Sequence, residues 1–210
     1  LYMCGIAGIY NFANGQKAKE SLLRRMCSVL AHRGPDDEGV YCKERIGLGH
    51  RRLSIIDLEG GHQPMSNEDN TIWIIFNGEI YNFLTLKAEL IKKGHIFKTK
   101  SDTEVILHLY EEEKEKCLDR LNGMFAFAIW NERKKQLFLA RDRIGIKPLH
   151  YFIKDGKLVF ASEIKAILQD KSVKREIDYE ALHDYLSFLY VPAPKTMFKG
   201  IKKLPAGHYL

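Results

Sequence analysis

Leu149-His150-Tyr151-Phe152-Ile153 and Lys157-Leu158-Val159-Phe160-Ala161 flank the dipeptide Asp155-Gly156. Two apolar runs of strand length joined through Asp-Gly spell a β-hairpin, because a type I′ turn needs positive φ at both central residues and these residue types tolerate it. Just upstream, residues 125–130 and 136–141 repeat the arrangement around the polar stretch 131–135. Further strands are expected at 5–10, 39–42, 46–49, 52–56 and 71–77. Helical spacing recurs through Leu22, Leu23, Met26 and Leu30, over 82–93 before Gly94, and from Ser101 through Val105, Ile106, Leu109 and Tyr110. Ser101 followed three residues later by Glu104 is a capping box. Two shorter helices are expected at 163–169 and 179–188. Strands outnumber helices and alternate with them irregularly, which disfavours a parallel doubly wound sheet and points to an α+β fold of two antiparallel sheets with helices outside. The tail 191–210, with Pro192, Pro194 and Pro205, reads as an extended basic strap leaving the core.

Composition narrows the function. With 210 residues, 45% of them apolar, the chain has enough hydrophobic surface to fold as one large domain or two small ones. No apolar run approaches the roughly 20 residues that cross a bilayer, and no secretory signal precedes Cys4, so a cytoplasmic setting without membrane contact is expected. The net charge is +6, but the basic excess is scattered and carries no aromatic-basic motif, which argues against nucleic acid. Cys4, Cys27, Cys42 and Cys117 form no C-x-x-C pair, and the eight histidines show no ligand-type spacing; no disulfide framework and no metal are expected.

Four places carry candidate chemistry. Cys4 heads an apolar strand; freed of everything before it, it would hold a thiol beside an α-amine whose reference pKa of about 7.7–8.0 suits a base. A buried structural cysteine is the competing reading. Asn77-Gly78-Glu79 follows the apolar run 72–76, where a side-chain amide and an unobstructed N–H can converge on an oxyanion, although Asn-Gly alone is more often a turn. Arg51 or Arg52 would suit two-point binding of a carboxylate, and position alone does not choose between them. Asp102 stands at the first position of a helix, where the dipole favours an acid for structural reasons and where it could also receive an ammonium group.

Taken in order, Cys4-Gly5-Ile6-Ala7-Gly8, His32-Arg33-Gly34-Pro35-Asp36, Arg52-Leu53-Ser54-Ile55, Asn77-Gly78-Glu79-Ile80-Tyr81-Asn82 and Ser101-Asp102-Thr103-Glu104 resemble the glutaminase domain of asparagine synthetases, a class II glutamine amidotransferase. Further matches reach Leu204-Pro205-Ala206-Gly207, so the resemblance covers nearly the whole chain. It implies the N-terminal-nucleophile hydrolase fold, a four-layer αββα sandwich, with a type 2 amidotransferase domain over 4–190 and a strap over 191–210 toward a C-terminal synthetase domain.

By that resemblance Cys4 attacks the side-chain amide of L-glutamine, its α-amine relays the proton, and Asn77 with the N–H of Gly78 holds the oxyanion. Arg52 binds the substrate carboxylate, Glu79 and Asp102 receive its ammonium, and backbone groups near Leu53 and Ile55 assist. The loop 32–39 would support the site, while Arg141-Asp142 and Ser162-Glu163 would order the core or a domain face. No cofactor is implied for this chain; ATP and Mg²⁺ belong to the synthetase domain, and the chain shows no pyrophosphate-binding glycine loop. A homodimer is compatible with the family. Amidotransferases with other acceptors, such as glucosamine-phosphate synthase, share the cysteine and the Asn-Gly pair, but Gly34-Pro35-Asp36 and the stretch 77–82 favour the asparagine branch. A different class of reading is a non-catalytic glutamine-binding scaffold, since Leu1-Tyr2-Met3 acylate the nitrogen of Cys4 and a chain that keeps them is expected to be inactive.

Overall fold

A computed structural model describes residues 3–13, 15–54 and 60–210. Strands β1 (Gly5–Asn11), β2 (Asp37–Lys43) and β3 (Ile46–Arg52) surround helix α1 (Glu20–Ser28) in the chain. Next come β4 (Met65–Ser66), β5 (Ile72–Ile80), α2 (Phe83–Lys92), α3 (Asp102–Glu113) and the short α4 (Cys117–Arg120). The last half holds β6 (Gly123–Asn131), β7 (Gln136–Arg141), β8 (His150–Lys154), β9 (Lys157–Ala161), α5 (Ile164–Ile167), α6 (Tyr179–Phe188) and β10 (Ile201–Lys203). All strand pairs are antiparallel, in a six-stranded sheet ordered β10-β8-β9-β1-β3-β2 and a four-stranded sheet ordered β4-β5-β6-β7.

Period-two alternation builds the layers. Ile6, Ile46 and Leu48 of one sheet meet Ile75, Ala128, Trp130 and Leu139 of the other in a shared core. The alternate residues Ala7 and Ile9 pack beneath Leu23 and Met26 of α1 and Ile167 of α5. Ile72, Ile74 and Phe76 pack beneath Leu86 and Leu90 of α2 and Ile106 and Leu109 of α3. The order is therefore helix, sheet, sheet, helix, the αββα sandwich that the sequence implies. Among the described residues no helix is long and apolar enough to cross a membrane.

The turn between β8 and β9 has φ of 50° at Asp155 and 71° at Gly156, as a type I′ hairpin requires. Three sequence expectations need correction. β3 runs unbroken to Arg52, where separate strands were expected at 46–49 and 52–56; the end of the second range lies outside the described residues. β5 continues through Asn77-Gly78-Glu79, so that tripeptide lies within a strand rather than at its end. The segment 191–210 does not leave the core: β10 pairs with β8, Ile201 and Leu204 are buried, and Leu210 exchanges backbone hydrogen bonds with Leu139.

Candidate active site

The same alternation assembles one polar cavity where the inter-sheet core ends. Ile6 points between the sheets, and so does Cys4 two residues earlier. In β3, Leu48 points inward, placing His50 and Arg52 inward too and Arg51 outward. That settles the choice between the arginines: Arg51 pairs with Glu38 at 2.8 Å and donates to the Gly34 carbonyl, whereas Arg52 is buried and lines the cavity. In β5, Ile75 faces inward, and Asn77 and Glu79 follow on the same face. The start of helix α3 contributes Asp102 and Thr103, together with its N-cap Ser101. The cavity measures about 230 Å³ and is also lined by Met3, Leu53, Gln63, Met124 and Lys147.

Cys4 is held from several directions. Its sulfur receives the Leu53 N–H at 3.3 Å and lies 3.6 Å from the Leu53 carbonyl, while its own carbonyl accepts from Arg33 Nε at 3.0 Å. Arg33 also donates to Glu163 at 3.0 Å and accepts the Met3 N–H on its carbonyl at 3.1 Å. The Ser162 hydroxyl accepts the Ile6 N–H at 3.0 Å. Arg33 in the loop 32–39 and the Ser162-Glu163 pair thus fix the start of β1. Burial pushes the Cys4 thiol up; the Leu53 hydrogen bond and the positive charges of Arg52 and Lys147 work against that rise.

Asn77 and Gly78 aim unused donors at the cavity. Asn77 is 1% exposed, and its Nδ2 has no hydrogen-bond partner, which is costly for a buried amide. The direction of the Gly78 N–H follows from its neighbours. Phe76 N donates to Gln63 Oε1 at 2.7 Å and Ile80 N to Asp102 Oδ2 at 2.9 Å, both away from β6. Alternation sends the intervening Gly78 N–H the same way. Phe125, opposite Gly78, gives its own N–H to Asp142 and receives the Asp142 N–H on its carbonyl, as expected where the β5–β6 pair is not hydrogen-bonded. A side chain at Gly78 would overlap the Met124 carbonyl, so only glycine lets the backbone lie there.

The cavity holds charges of both signs: Arg52 and Lys147 share it with Asp102 and Glu79. Burial pushes the Asp102 carboxyl up, the Ile80 N–H pulls it back, and the neighbouring Glu79 charge adds to the rise. Burial, joined by the charge of Arg33, pulls the Lys147 ammonium down. His50 ties the sheets together beside the site: its Nε2 donates to the Phe76 carbonyl at 3.0 Å, and full burial drives its pKa down to about 3, keeping the ring neutral.

The structure therefore gathers Cys4, Arg52, Leu53, Asn77, Gly78, Glu79 and Asp102; Ile55 lies outside the described residues. Arg141 donates to the carbonyls of Lys147, Leu204 and Gly145, and the Asp142 carboxylate accepts the N–H groups of Phe125, Ile144, Ile146 and Lys147. Those two residues order the 142–147 turn, which delivers Lys147 to the cavity. Sequence reasoning missed Gln63, Met124 and Lys147, which come from three distant segments with no shared spacing.

A family profile described as glutamine amidotransferase domain matches residues 3–210. Asparagine synthetase [glutamine-hydrolyzing] 1 of Bacillus subtilis (strain 168) is 48% identical over 207 residues, covering 98% of this chain and 33% of that protein. Asparagine synthetase [glutamine-hydrolyzing] 3 of the same organism is 43% identical, covering 99% of this chain and 34% of that protein. Among solved structures, glutamine phosphoribosylpyrophosphate amidotransferase from B. subtilis, complexed with ADP and GMP, superposes with a TM-score of 0.66 at 25% identity, covering 78% of this chain and 43% of that one. The chain spans about a third of the length of the two synthetases. Since the matched span takes in every described residue around the cavity, the chain belongs to the glutamine amidotransferase domain family.

Proposed function

We propose that this chain hydrolyses L-glutamine to glutamate and ammonia as the nitrogen-donor half of an ATP-dependent, glutamine-hydrolysing asparagine synthetase. The observation that carries the reading is the convergence of a thiol, two unused hydrogen-bond donors and charged groups of both signs in one cavity. An α-amino acid is a zwitterion: Arg52 suits its carboxylate, and Asp102 with Glu79 suits its ammonium. Its side chain then extends toward Cys4.

In this mechanism Cys4 Sγ attacks the amide carbon while the free α-amine of the same residue takes the thiol proton. The resulting oxyanion accepts hydrogen bonds from Asn77 Nδ2 and Gly78 N, donors already in place before the reaction begins. The C–N bond breaks as the α-amine returns the proton to the leaving nitrogen, releasing ammonia and a thioester. Water activated by the same amine then attacks the thioester, freeing glutamate and restoring the thiol. The step needs no cofactor. ATP and Mg²⁺ would serve a synthetase domain in cis that adenylates aspartate, and the whole enzyme would work in the cytoplasm. Identities of 43–48% with glutamine-hydrolysing asparagine synthetases support aspartate over other acceptors.

Glutamate release by the chain trimmed to begin at Cys4 tests the reading. Glutamine-dependent glutamate formation, lost in Cys4→Ala, is expected. Glutamine binding without turnover would overturn it in favour of a scaffold.

A further inference from the structure

Six residues along α3 from Asp102, about 9 Å at 1.5 Å per residue, a second polar cluster lies apart from the cavity. We propose that Glu68, His95 and His108 form a binding site for one transition-metal dication of the zinc class, with Glu111 as a fourth ligand. The inference is independent of the glutaminase reading.

The ligands come from separate elements: Glu68 from the turn between β4 and β5, His95 from the turn after α2, and His108 and Glu111 from α3. One donor atom from each of Glu68, His95 and His108 lies within 4.8 Å of the others. His108 Nδ1 is 4.0 Å from Glu68 Oε2 and 2.8 Å from Glu111 Oε2, and Glu111 Oε2 is 3.9 Å from His95 Nδ1. A tetrahedral zinc ion with bonds of about 2.0–2.2 Å places its ligand atoms roughly 3.3 Å apart. Side-chain shifts of about an ångström would close the observed group onto an ion.

The chemistry of the donors selects the metal. Two imidazoles and two carboxylates suit zinc, cobalt or nickel, whereas magnesium and calcium prefer oxygen alone. Charge points the same way. Glu68, Glu104, Glu111 and Glu112 surround the two rings, and Lys93 pairs with Glu112 at 2.9 Å. His108 is 1% exposed, and its Nε2 makes no hydrogen bond, lying 3.8 Å from Glu104. One outer contact that orients a ligand is already built: Asn67 Nδ2 donates to Glu111 at 2.7 Å. The half-exposed Glu68 leaves an entry path. Because the residues are distant in sequence, no local spacing signals the site, which is why no metal was expected from the sequence.

The test is calorimetric titration of the chelator-treated chain with Zn²⁺, in a Cys4→Ser, Cys42→Ser background that removes the less buried thiols. One equivalent should bind, with affinity reduced at least tenfold in His95→Ala and in Glu68→Gln. Both positions are partly exposed, so circular dichroism should confirm that these variants stay folded. Bound Co²⁺ should give the visible bands of a four-coordinate site, lost in His95→Ala, and Mg²⁺ should not compete. Absence of saturable uptake, or uptake unchanged in both variants, would overturn the proposal and leave a metal-free histidine–carboxylate network.

Discussion

Asn77→Ala separates a catalytic donor from a structural one. In the resting chain Asn77 Nδ2 is buried without a partner, so deleting it breaks no native hydrogen bond on that nitrogen and removes a desolvated polar group. The loss should therefore appear only once charge develops on the substrate oxygen. One oxyanion donor is worth about 10²–10³ in kcat, or about 2.7–4 kcal/mol, and the Gly78 N–H remains to supply the rest. Steady-state glutaminase kinetics on the chain beginning at Cys4 should show kcat lowered by roughly that factor with KM changed little, and a thermal melt should show Tm lowered by no more than a few degrees. Asn77→Asp, nearly isosteric but aiming a carboxylate at the oxyanion, should be slower still. A variant whose KM rises while kcat holds, or whose Tm collapses, would refute the argument and make Asn77 a structural residue.

Arg52→Ala should raise KM strongly with a smaller effect on kcat, since it removes a contact already made in the bound ground state, and Arg52→Lys should rescue only partly because an ammonium cannot bind a carboxylate at two points. Asp102 must be ionised to hold an ammonium, and its carboxyl is pushed up by burial; as pH falls it protonates earlier than an ordinary carboxylate, so KM for glutamine should rise on the acid side, and Asp102→Asn should raise KM at all pH values and flatten that rise. His50 titrates near 3 when folded and near 6.5 when unfolded, so the unfolded chain takes its proton first; its contribution to stability is complete above about 6.5 and falls by about 1.4 kcal/mol per pH unit toward 3 in pH-dependent denaturant melts.

Local chemistry made part of this molecule legible in advance. The Asp155-Gly156 turn and the Ser101 cap are decided by residues next to one another, and both formed, although Glu104 reaches Lys98 and Thr99 rather than closing the box on Ser101. Two errors share one cause. His50-Arg51 looks like an interruption of β3, and Asn77-Gly78 looks like the end of β5, because polar residues and glycine depress a strand reading. In the fold they stay within β3 and β5 beside a polar cavity: His50 bonds the other sheet, Arg52 lines the site, and Gly78 lies flush against Met124. The tail was misread for a similar reason, since its prolines mask the three-residue strand β10, whose stability comes from β8. Resemblance named the candidate site residues in order, Arg52 among them; that Arg52 rather than Arg51 faces the cavity, and that the Gly78 N–H aims inward, follow from strand register.

The central claim is that Cys4 acts through its own α-amine, and one comparison addresses it most directly. As an amide, the Cys4 nitrogen has no basic lone pair; in this structure the Met3 N–H is bound to the Arg33 carbonyl, and Met3 lines the cavity beside Lys147, whose Nζ is 2.7 Å from Met3 Sδ. Both effects oppose turnover in any chain that keeps residues before Cys4. Glutamate release should be measured for two forms that differ only there, one beginning at Cys4 and one retaining Leu1-Tyr2-Met3, each verified by intact mass. Turnover is expected from the first and near silence from the second; equal rates with Leu1 still attached would contradict the free-amine mechanism.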